Sequence, residues 1–188
     1  GVELDSLYTA DVTRTLPVNG TFSPEQRKVY EAVLAAQAAG FAACKPGNKF
    51  SDVHAAAIAV VAQYLYDWGL LPVTPEEALS PEGGQQRRWM VHGTSHHLGI
   101  DVHDCAQARR EDYGSAELKP GMVITVEPGI YLKATDLLVP KEMRGIGVRI
   151  EDDVLITEDG CEVLSAMVPS QPDEVEAWMA GIWKDTRG

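Results

Sequence analysis

The stretch LKPGMVITVEPGIYL, residues 118–132, contains an apolar run that ends in a carboxylate. Its central part, MVITVE (residues 122–127), is rich in β-branched side chains and predicts a strand. Pro128-Gly129 stops the run directly behind Glu127. A charged group inside a sheet is costly unless a positive group meets it. Glu127 therefore points to solvent, pairs with an arginine or binds a cation.

A second strand with the same anomaly is predicted at residues 147–157 (GVRIEDDVLIT), where Glu151 follows GVRI and precedes DDVLIT. The structural interpretation places the carboxylate in solvent or pairs it with Arg149 or Arg144. For either glutamate taken alone, this interpretation is the favoured one, because acidic side chains are mostly exposed.

The start of the chain raises the same question a third time. Residues 1–16 predict strands that turn at Asp5-Ser6, and the second strand carries Asp11. A local salt bridge with Arg14 is the structural alternative for this aspartate. Three carboxylates embedded in predicted strands are harder to explain separately than one.

Four of the five histidines fall within twelve residues, at positions 92, 96, 97 and 103. Three carboxylates with a minority of imidazole form an oxygen-rich ligand set, which suits manganese and also allows cobalt, iron or zinc. Three carboxylates exceed the charge of one divalent ion, so two metal ions that share bridging acids are predicted. The motif HExxH, typical of zincins, is absent from the sequence.

Helices are predicted between the first strands and the later ones. Ser23, Pro24 and Gln26 form a capping box with proline at the first helical position, and Lys45-Pro46-Gly47 ends this helix. Further helices are predicted at residues 51–68, 75–79 and 173–179. The order of elements lacks a regular βαβ alternation. It predicts an α+β fold with helices on one face of a mainly antiparallel sheet.

Composition excludes several classes of function. The formal net charge of −12 argues against binding to nucleic acid or to an anionic membrane surface. No apolar run approaches the length of a membrane span. The three cysteines are far apart and odd in number, which predicts no disulfide framework and indicates a reducing, cytoplasmic location.

Four motifs, in order, resemble the catalytic half of the bacterial Xaa-Pro aminopeptidases (aminopeptidase P). This family belongs to the pita-bread metallopeptidases, together with prolidase and methionine aminopeptidase. The motifs are YTADVTRTLPVNGTFSPEQRKVY (8–30), HGTSHHLGIDVHD (92–104), LKPGMVITVEPGIYL (118–132) and GIGVRIEDDVLIT (145–157). The resemblance implies the pita-bread fold, with a curved sheet, over nearly the whole chain.

The resemblance also assigns roles to residues. It implies that two divalent metal ions, with manganese favoured, are held by Asp11, His96, Glu127 and Glu151. It implies catalytic roles for His92, His103, Glu127 and Arg149: the two histidines around the substrate, Glu127 in proton transfer, and Arg149 in handling substrate or proton. His97 is expected to pack, and His54 is expected to be structural or at the surface.

The implied reaction releases the N-terminal residue from peptides with proline in the second position. Asp11 and Glu151 are expected to bridge the two metals, with His96 and Glu127 on one of them. A hydroxide held between the metals attacks the carbonyl before proline, and Glu127 moves the proton to the leaving nitrogen. The alternatives are prolidase, which cleaves only Xaa-Pro dipeptides, and a pita-bread domain that binds peptides without cleaving them. Methionine aminopeptidase matches the DVHD and GIGVRIEDD segments less well.

The family carries a fifth ligand, an aspartate, which is expected just ahead of Gly1, opposite Asp11 in the hairpin. Residues 1–188 are therefore expected to be part of a catalytic domain, without the N-terminal domain and the start of the catalytic domain. A degenerate relative with one metal or none is the alternative. This part alone is expected to be weak or inactive, and the full-length protein to form a homodimer or homotetramer.

Overall fold

The computed structural model describes residues 1–105 and 107–185. Its α-helices are α1 (Pro24–Ala43), α2 (Phe50–Asp67), α3 (Pro75–Leu79), α4 (Arg110–Gly114) and α5 (Pro172–Asp185). Its strands are β1 (Val2–Glu3), β2 (Thr9–Ala10), β3 (Val123–Val126), β4 (Gly129–Tyr131), β5 (Gly147–Arg149), β6 (Asp152–Ile156) and β7 (Cys161–Val163). Single turns of 3-10 helix lie at Gln85–Arg88 and Lys141–Met143. Among the described residues, no helix combines the length and the apolar character that a bilayer crossing requires.

The helices begin where the sequence predicts. Ser23 caps α1, its hydroxyl accepts a hydrogen bond from the backbone N–H of Gln26, and the Gln26 side chain completes the capping box. The prediction at the end of the chain was too short, because α5 continues from Pro172 to Asp185. Helix α4 was not predicted, since its five residues REDYG show no helical periodicity.

The sheets are small and antiparallel, in the orders β1-β2, β3-β6-β7 and β4-β5. The strand predicted over residues 147–157 is divided between two of them, because β5 pairs with β4 while β6 pairs with β3. The two ladders stop at Val126↔Asp152 and resume at Gly129↔Arg149. Glu127-Pro128 and Ile150-Glu151 therefore face each other in a gap between the ladders. We call this interruption the ladder gap.

Side chains still alternate across the ladder gap as they do in a continuous strand. Val126, Val154 and Ile156 belong to the core beneath the helices, and Ile150 lies in the adjoining core cluster. Their neighbours point to the opposite face. This parity sends Glu127 and Glu151 away from the helices, towards a common side of the sheet.

Helix α1 lies against the sheet at a glycine. A Cβ atom on Gly40 would lie 2.7 Å from Cγ1 of Val126, a side chain with no exposed surface. The absence of a side chain at position 40 therefore sets how closely α1 approaches β3.

A buried carboxylate fixes the loop between β4 and β5. Asp136 accepts two hydrogen bonds from the Arg88 guanidinium, both at 2.7 Å, one from the Trp89 indole at 3.2 Å and one from the Leu138 backbone. These hydrogen bonds, led by the one from Arg88, lower the pKa of Asp136 to about 2.

The substitution Asp136→Asn should make the stability of the fold less dependent on pH in the acidic range. Because the pKa of Asp136 is lower in the folded chain than in the unfolded one, its stabilising contribution is complete above about pH 4 and is lost as the pH falls through about 2. The variant should therefore melt several degrees below wild type near neutral pH, with a difference that shrinks towards about pH 2. Thermal unfolding over this pH range measures the difference in melting temperature, and a difference that stays constant would contradict the assignment.

Candidate metal centre

Four side chains predicted as ligands meet on the side of the sheet away from the helices. The Nε2 atom of His96 lies 3.5 Å from Oε1 of Glu127. It lies 3.8 Å from Oδ2 of Asp11 and 3.8 Å from Oε1 of Glu151. Asp11, His96 and Glu151 each offer a ligand atom within 4.8 Å of the other two. Residues separated by up to 140 positions in the chain thus converge on one point.

The ladder gap explains the convergence. Within the gap, the backbone N–H of Glu127 donates to the carbonyl of Thr94, at 2.7 Å, two residues before His96. The backbone of Glu151 exchanges two hydrogen bonds with Thr13, two residues after Asp11. Each glutamate is therefore tied, through its main chain, to the segment that carries another ligand.

The acidic run Glu151-Asp152-Asp153 divides its carboxylates between the two faces. Glu151, whose side chain is 2% exposed, accepts a hydrogen bond of 2.5 Å from the Thr13 hydroxyl at Oε2 and presents Oε1 to the centre. Asp152 points the other way, under α1. The Asp153 carboxylate accepts hydrogen bonds from the backbone N–H of Asp11, which orients that ligand from behind.

The electrostatics show a pocket with more negative charge than its own residues can balance. Burial, followed by repulsion from Glu151, raises the pKa of Glu127 to about 7. Burial opposes ionisation of Glu151 as well, yet the nearby His96, the hydrogen bond from the Thr13 hydroxyl and the charge of Arg149 lower its pKa. Burial likewise disfavours the His96 imidazolium, but Glu151 and Glu127 raise the pKa of His96.

These observations fit a divalent cation. The donors are three carboxylates and one imidazole nitrogen, a set suited to hard or borderline ions. A positive ion among them would offset the burial and the repulsion that raise the pKa of Glu127. Asp11, His96, Glu127 and Glu151 are therefore the residues that would hold it.

Two further predicted residues lie beside this cluster. His92 Nε2 is 2.6 Å from the hydroxyl of Tyr131, and the Arg149 Nε donates to the Thr13 hydroxyl at 3.2 Å. The sequence interpretation assigned no role to Tyr131. Its position in the motif EPGIY, directly after the Glu127 turn, is the signal that could have revealed it. Tyr131 joins the His92 segment to the strand that follows the ladder gap.

His103, also predicted as catalytic, contacts a ligand directly. Its ring lies edge-on to the His96 ring, with 4.5 Å between centroids, and the residue is exposed. An exposed imidazole beside the ligand cluster is accessible to a bound molecule.

The remaining histidines pack, as expected. His97 stacks on Phe50 with 5.0 Å between ring centroids and lies edge-on to Tyr113. His54 places Nδ1 2.9 Å from the Thr94 hydroxyl, so it supports the segment that leads to His96. Burial lowers the pKa of both imidazoles.

The structural alternatives for the carboxylates are mostly wrong. Arg14 forms its ion pair with Asp152 and none with Asp11, because strand parity turns it to the other face. Arg144 donates to the carbonyls of a nearby loop. Arg149 does approach Glu151, with 3.9 Å between Nε and Oε2, but its side chain remains 43% exposed.

The expected position opposite Asp11 is off by one residue. The pairs Val2↔Ala10 and Glu3↔Thr9 set a register in which Gly1 itself faces Asp11, rather than a residue ahead of Gly1. The turn at Asp5-Ser6 is where the sequence predicts it.

Comparison with known proteins gives consistent matches. Residues 1–158 match metallopeptidase family M24. Xaa-Pro aminopeptidase 1 of Streptomyces coelicolor is 58% identical over 182 residues, which cover 97% of this chain and 37% of the relative. Xaa-Pro aminopeptidase of Escherichia coli is 41% identical over 177 residues, which cover 94% of this chain and 39% of the relative. The chain thus spans less than two fifths of the length of these curated relatives.

Solved structures match equally well. Aminopeptidase PepP of Pseudomonas aeruginosa superposes with a TM-score of 0.86 at 44% identity, over 93% of this chain and 39% of that one. Aminopeptidase P of Escherichia coli, solved with the inhibitor Pro-Leu, has a TM-score of 0.86 at 39% identity, over 95% of this chain and 39% of that one. The predicted α+β, pita-bread fold is confirmed.

Proposed function

Because this chain belongs to metallopeptidase family M24, we propose that it forms the cation-binding part of an aminopeptidase that removes the N-terminal residue ahead of proline. The observation that supports this most strongly is the meeting of Asp11, Glu127 and Glu151 around His96 Nε2. Peptides with an Xaa-Pro N-terminus are the proposed substrates, as the names of the matched relatives suggest.

We propose that the cofactor is a pair of divalent ions, with manganese favoured, held by Asp11, His96, Glu127 and Glu151. When bound, such ions supply Lewis acidity that polarises a carbonyl and lowers the pKa of water. The protein's own contribution is to fix these donors: the Thr13 hydroxyl orients Glu151, and the Asp153 carboxylate orients Asp11 through its backbone N–H.

Proton transfer is assigned to Glu127. A carboxyl group whose pKa lies near neutrality can both accept and release a proton at working pH. Its Oε1 would take the proton of the attacking water and pass it to the proline nitrogen that leaves. Relief of the surrounding repulsion by a cation would favour the accepting, ionised form.

The flanking residues are assigned to the substrate. His92 and His103 would lie around the scissile amide, where the exposed His103 can hydrogen-bond to it, and Arg149, with its partly exposed guanidinium, would handle substrate or proton. Tyr131 holds His92 in place through the 2.6 Å contact between its hydroxyl and Nε2. The carboxylates of the centre would bind the free α-amine of the peptide. Because cleavage would then require a free N-terminus, the enzyme would be an exopeptidase.

The cellular location and the oligomeric state are also proposals. A cytoplasmic location is supported by Cys44, Cys105 and Cys161, all free thiols. Assembly of the full-length protein into a dimer or tetramer rests on the family resemblance alone.

Glu127→Gln in the full-length protein should lower the turnover of an Xaa-Pro tripeptide by about 10²–10⁴-fold, because the amide cannot accept the proton. Liquid chromatography of the products measures turnover, and elemental analysis of the same samples measures bound metal. Glu142→Gln, at an exposed position outside the centre, is the control and should behave as wild type.

Full turnover and full metal content in the Glu127→Gln variant would contradict the proposal. The same assay separates prolidase from the aminopeptidase, since a prolidase cleaves an Xaa-Pro dipeptide and leaves the tripeptide intact. An absence of bound metal in the wild-type protein would favour a binding module without catalysis.

A further inference from the structure

Arg14 is a buried arginine whose hydrogen-bonding capacity is fully used. Its side chain is 5% exposed, and each of its five N–H groups has a partner. The partners are Pro169 O at 2.8 Å from Nε, Thr13 O at 3.0 Å and Glu151 O at 2.8 Å from Nη1, and Asp152 Oδ1 at 2.7 Å and Val168 O at 2.9 Å from Nη2.

Two of these partners belong to the bridge that joins two ligand segments. Thr13 and Glu151 exchange backbone hydrogen bonds, and the two carbonyls that accept them are the same two that accept from Arg14 Nη1. One guanidinium nitrogen therefore spans the bridge. Asp11 lies two residues to one side of it, and Glu151 is itself a proposed ligand.

Asp152 holds the guanidinium from the opposite side. Its carboxylate also accepts a hydrogen bond from the Ser165 hydroxyl at 2.6 Å and from the Gln37 amide, in α1, at 2.9 Å. Asp152 and Gln37 are both nearly fully buried. Asp152 thus anchors Arg14 to the helical core, and Arg14 reaches the proposed ligand Glu151 through its backbone carbonyl.

We propose that Arg14 is a positioning residue, which locks the Asp11 segment in register with the Glu151 segment so that their carboxylates converge on one cation. It touches neither the cation nor the substrate, and it acts through the Thr13–Glu151 bridge. The cation part of this inference rests on the proposed function, whereas the bridge is a property of the fold alone.

A buried ion pair could instead stabilise the fold without affecting the centre. The chain contains a comparable pair that separates the two roles. Arg88 donates from Nε and Nη2 to the buried Asp136, both at 2.7 Å, and contacts no residue of the cation cluster through these bonds. Loss of this pair should lower stability only.

The test compares Arg14→Lys with Arg88→Lys. Lysine keeps the positive charge near the aspartate, but its single ammonium cannot also span two carbonyls. In metal-free Arg14→Lys, hydrogen exchange at the amides of Thr13 and Glu151 should accelerate at least about 10-fold. Affinity for Mn²⁺ alone, measured by titration calorimetry, should fall about 10–100-fold. Arg88→Lys should lower Tm while leaving both quantities at the wild-type level.

Two results would overturn the inference: wild-type exchange at Thr13 and Glu151 in Arg14→Lys, or an equal loss of Mn²⁺ affinity in Arg88→Lys. If the full-length wild-type protein, in which all variants are made, binds no Mn²⁺, the proposed cation centre fails. In that case the exchange rates alone decide whether Arg14 positions the two segments, so the two failures are distinguishable.

Discussion

In the full-length protein, replacing Glu151 with glutamine is expected to lower the affinity of the centre for divalent cations by more than about 100-fold and to abolish measurable peptide cleavage. Glu151 is the most buried of the proposed ligands, with 2% of its side chain exposed, and both of its oxygens are engaged. The amide has the same shape, so the fold should persist. It lacks the charge, and its NH₂ group would meet either the Thr13 hydroxyl or the cation.

Titration calorimetry with Mn²⁺ measures the loss of affinity, and far-UV circular dichroism confirms that the variant is folded. Glu162→Gln in β7 is the control, since that glutamate is exposed and lies in a strand of the same sheet. A Glu151→Gln variant with wild-type Mn²⁺ affinity would remove Glu151 from the ligand set, and with it the assignment of the ladder gap as the cation site.

Gly40→Val is expected to lower the free energy of unfolding by about 3 kcal/mol, or roughly 6–12 °C in Tm. The new Cβ would lie 2.7 Å from Cγ1 of Val126, closer than carbon atoms approach. Val126 is fully buried and, being β-branched, has few alternative rotamers. Relief therefore requires α1 to move away from β3, which opens gaps in the core between them.

Gly181→Val is the control for this prediction, because Gly181 lies inside α5 with open space around its Cα. The same substitution there tests helix propensity without steric overlap and should change stability by no more than about 0.5 kcal/mol. Equal losses at positions 40 and 181 would show that the close approach of α1 to β3 is not what Gly40 provides.

Local sequence patterns predict most of the fold. The capping box at Ser23, the turn at Asp5-Ser6 and the apolar run before Glu127 each depend on neighbouring residues, and the structure has each of them. The division of residues 147–157 between two sheets was not predicted, because β-branched residues favour an extended chain on both sides of Glu151 and do not specify its partner.

The candidate site was predicted by a different route. Resemblance to a family supplied its residues, whereas their convergence depends on pairs such as Thr13–Glu151, 138 positions apart, that no periodicity reveals. The structural alternative that paired Arg14 with Asp11 fails for a related reason. Sequence proximity suggested Asp11, but alternation along the segment directs the guanidinium to Asp152 on the other face.

The ladder gap has a consequence for how the protein acquires its chemistry. Because the glutamates hydrogen-bond to Thr13 and Thr94 instead of to each other, the centre exists only after distant parts of the polypeptide have closed on one another. Closing such long loops is entropically slow, and it follows local helix and hairpin formation. A nascent or partly unfolded chain is therefore expected to hold no assembled cluster of acids, and the candidate cation site is expected to form late in folding.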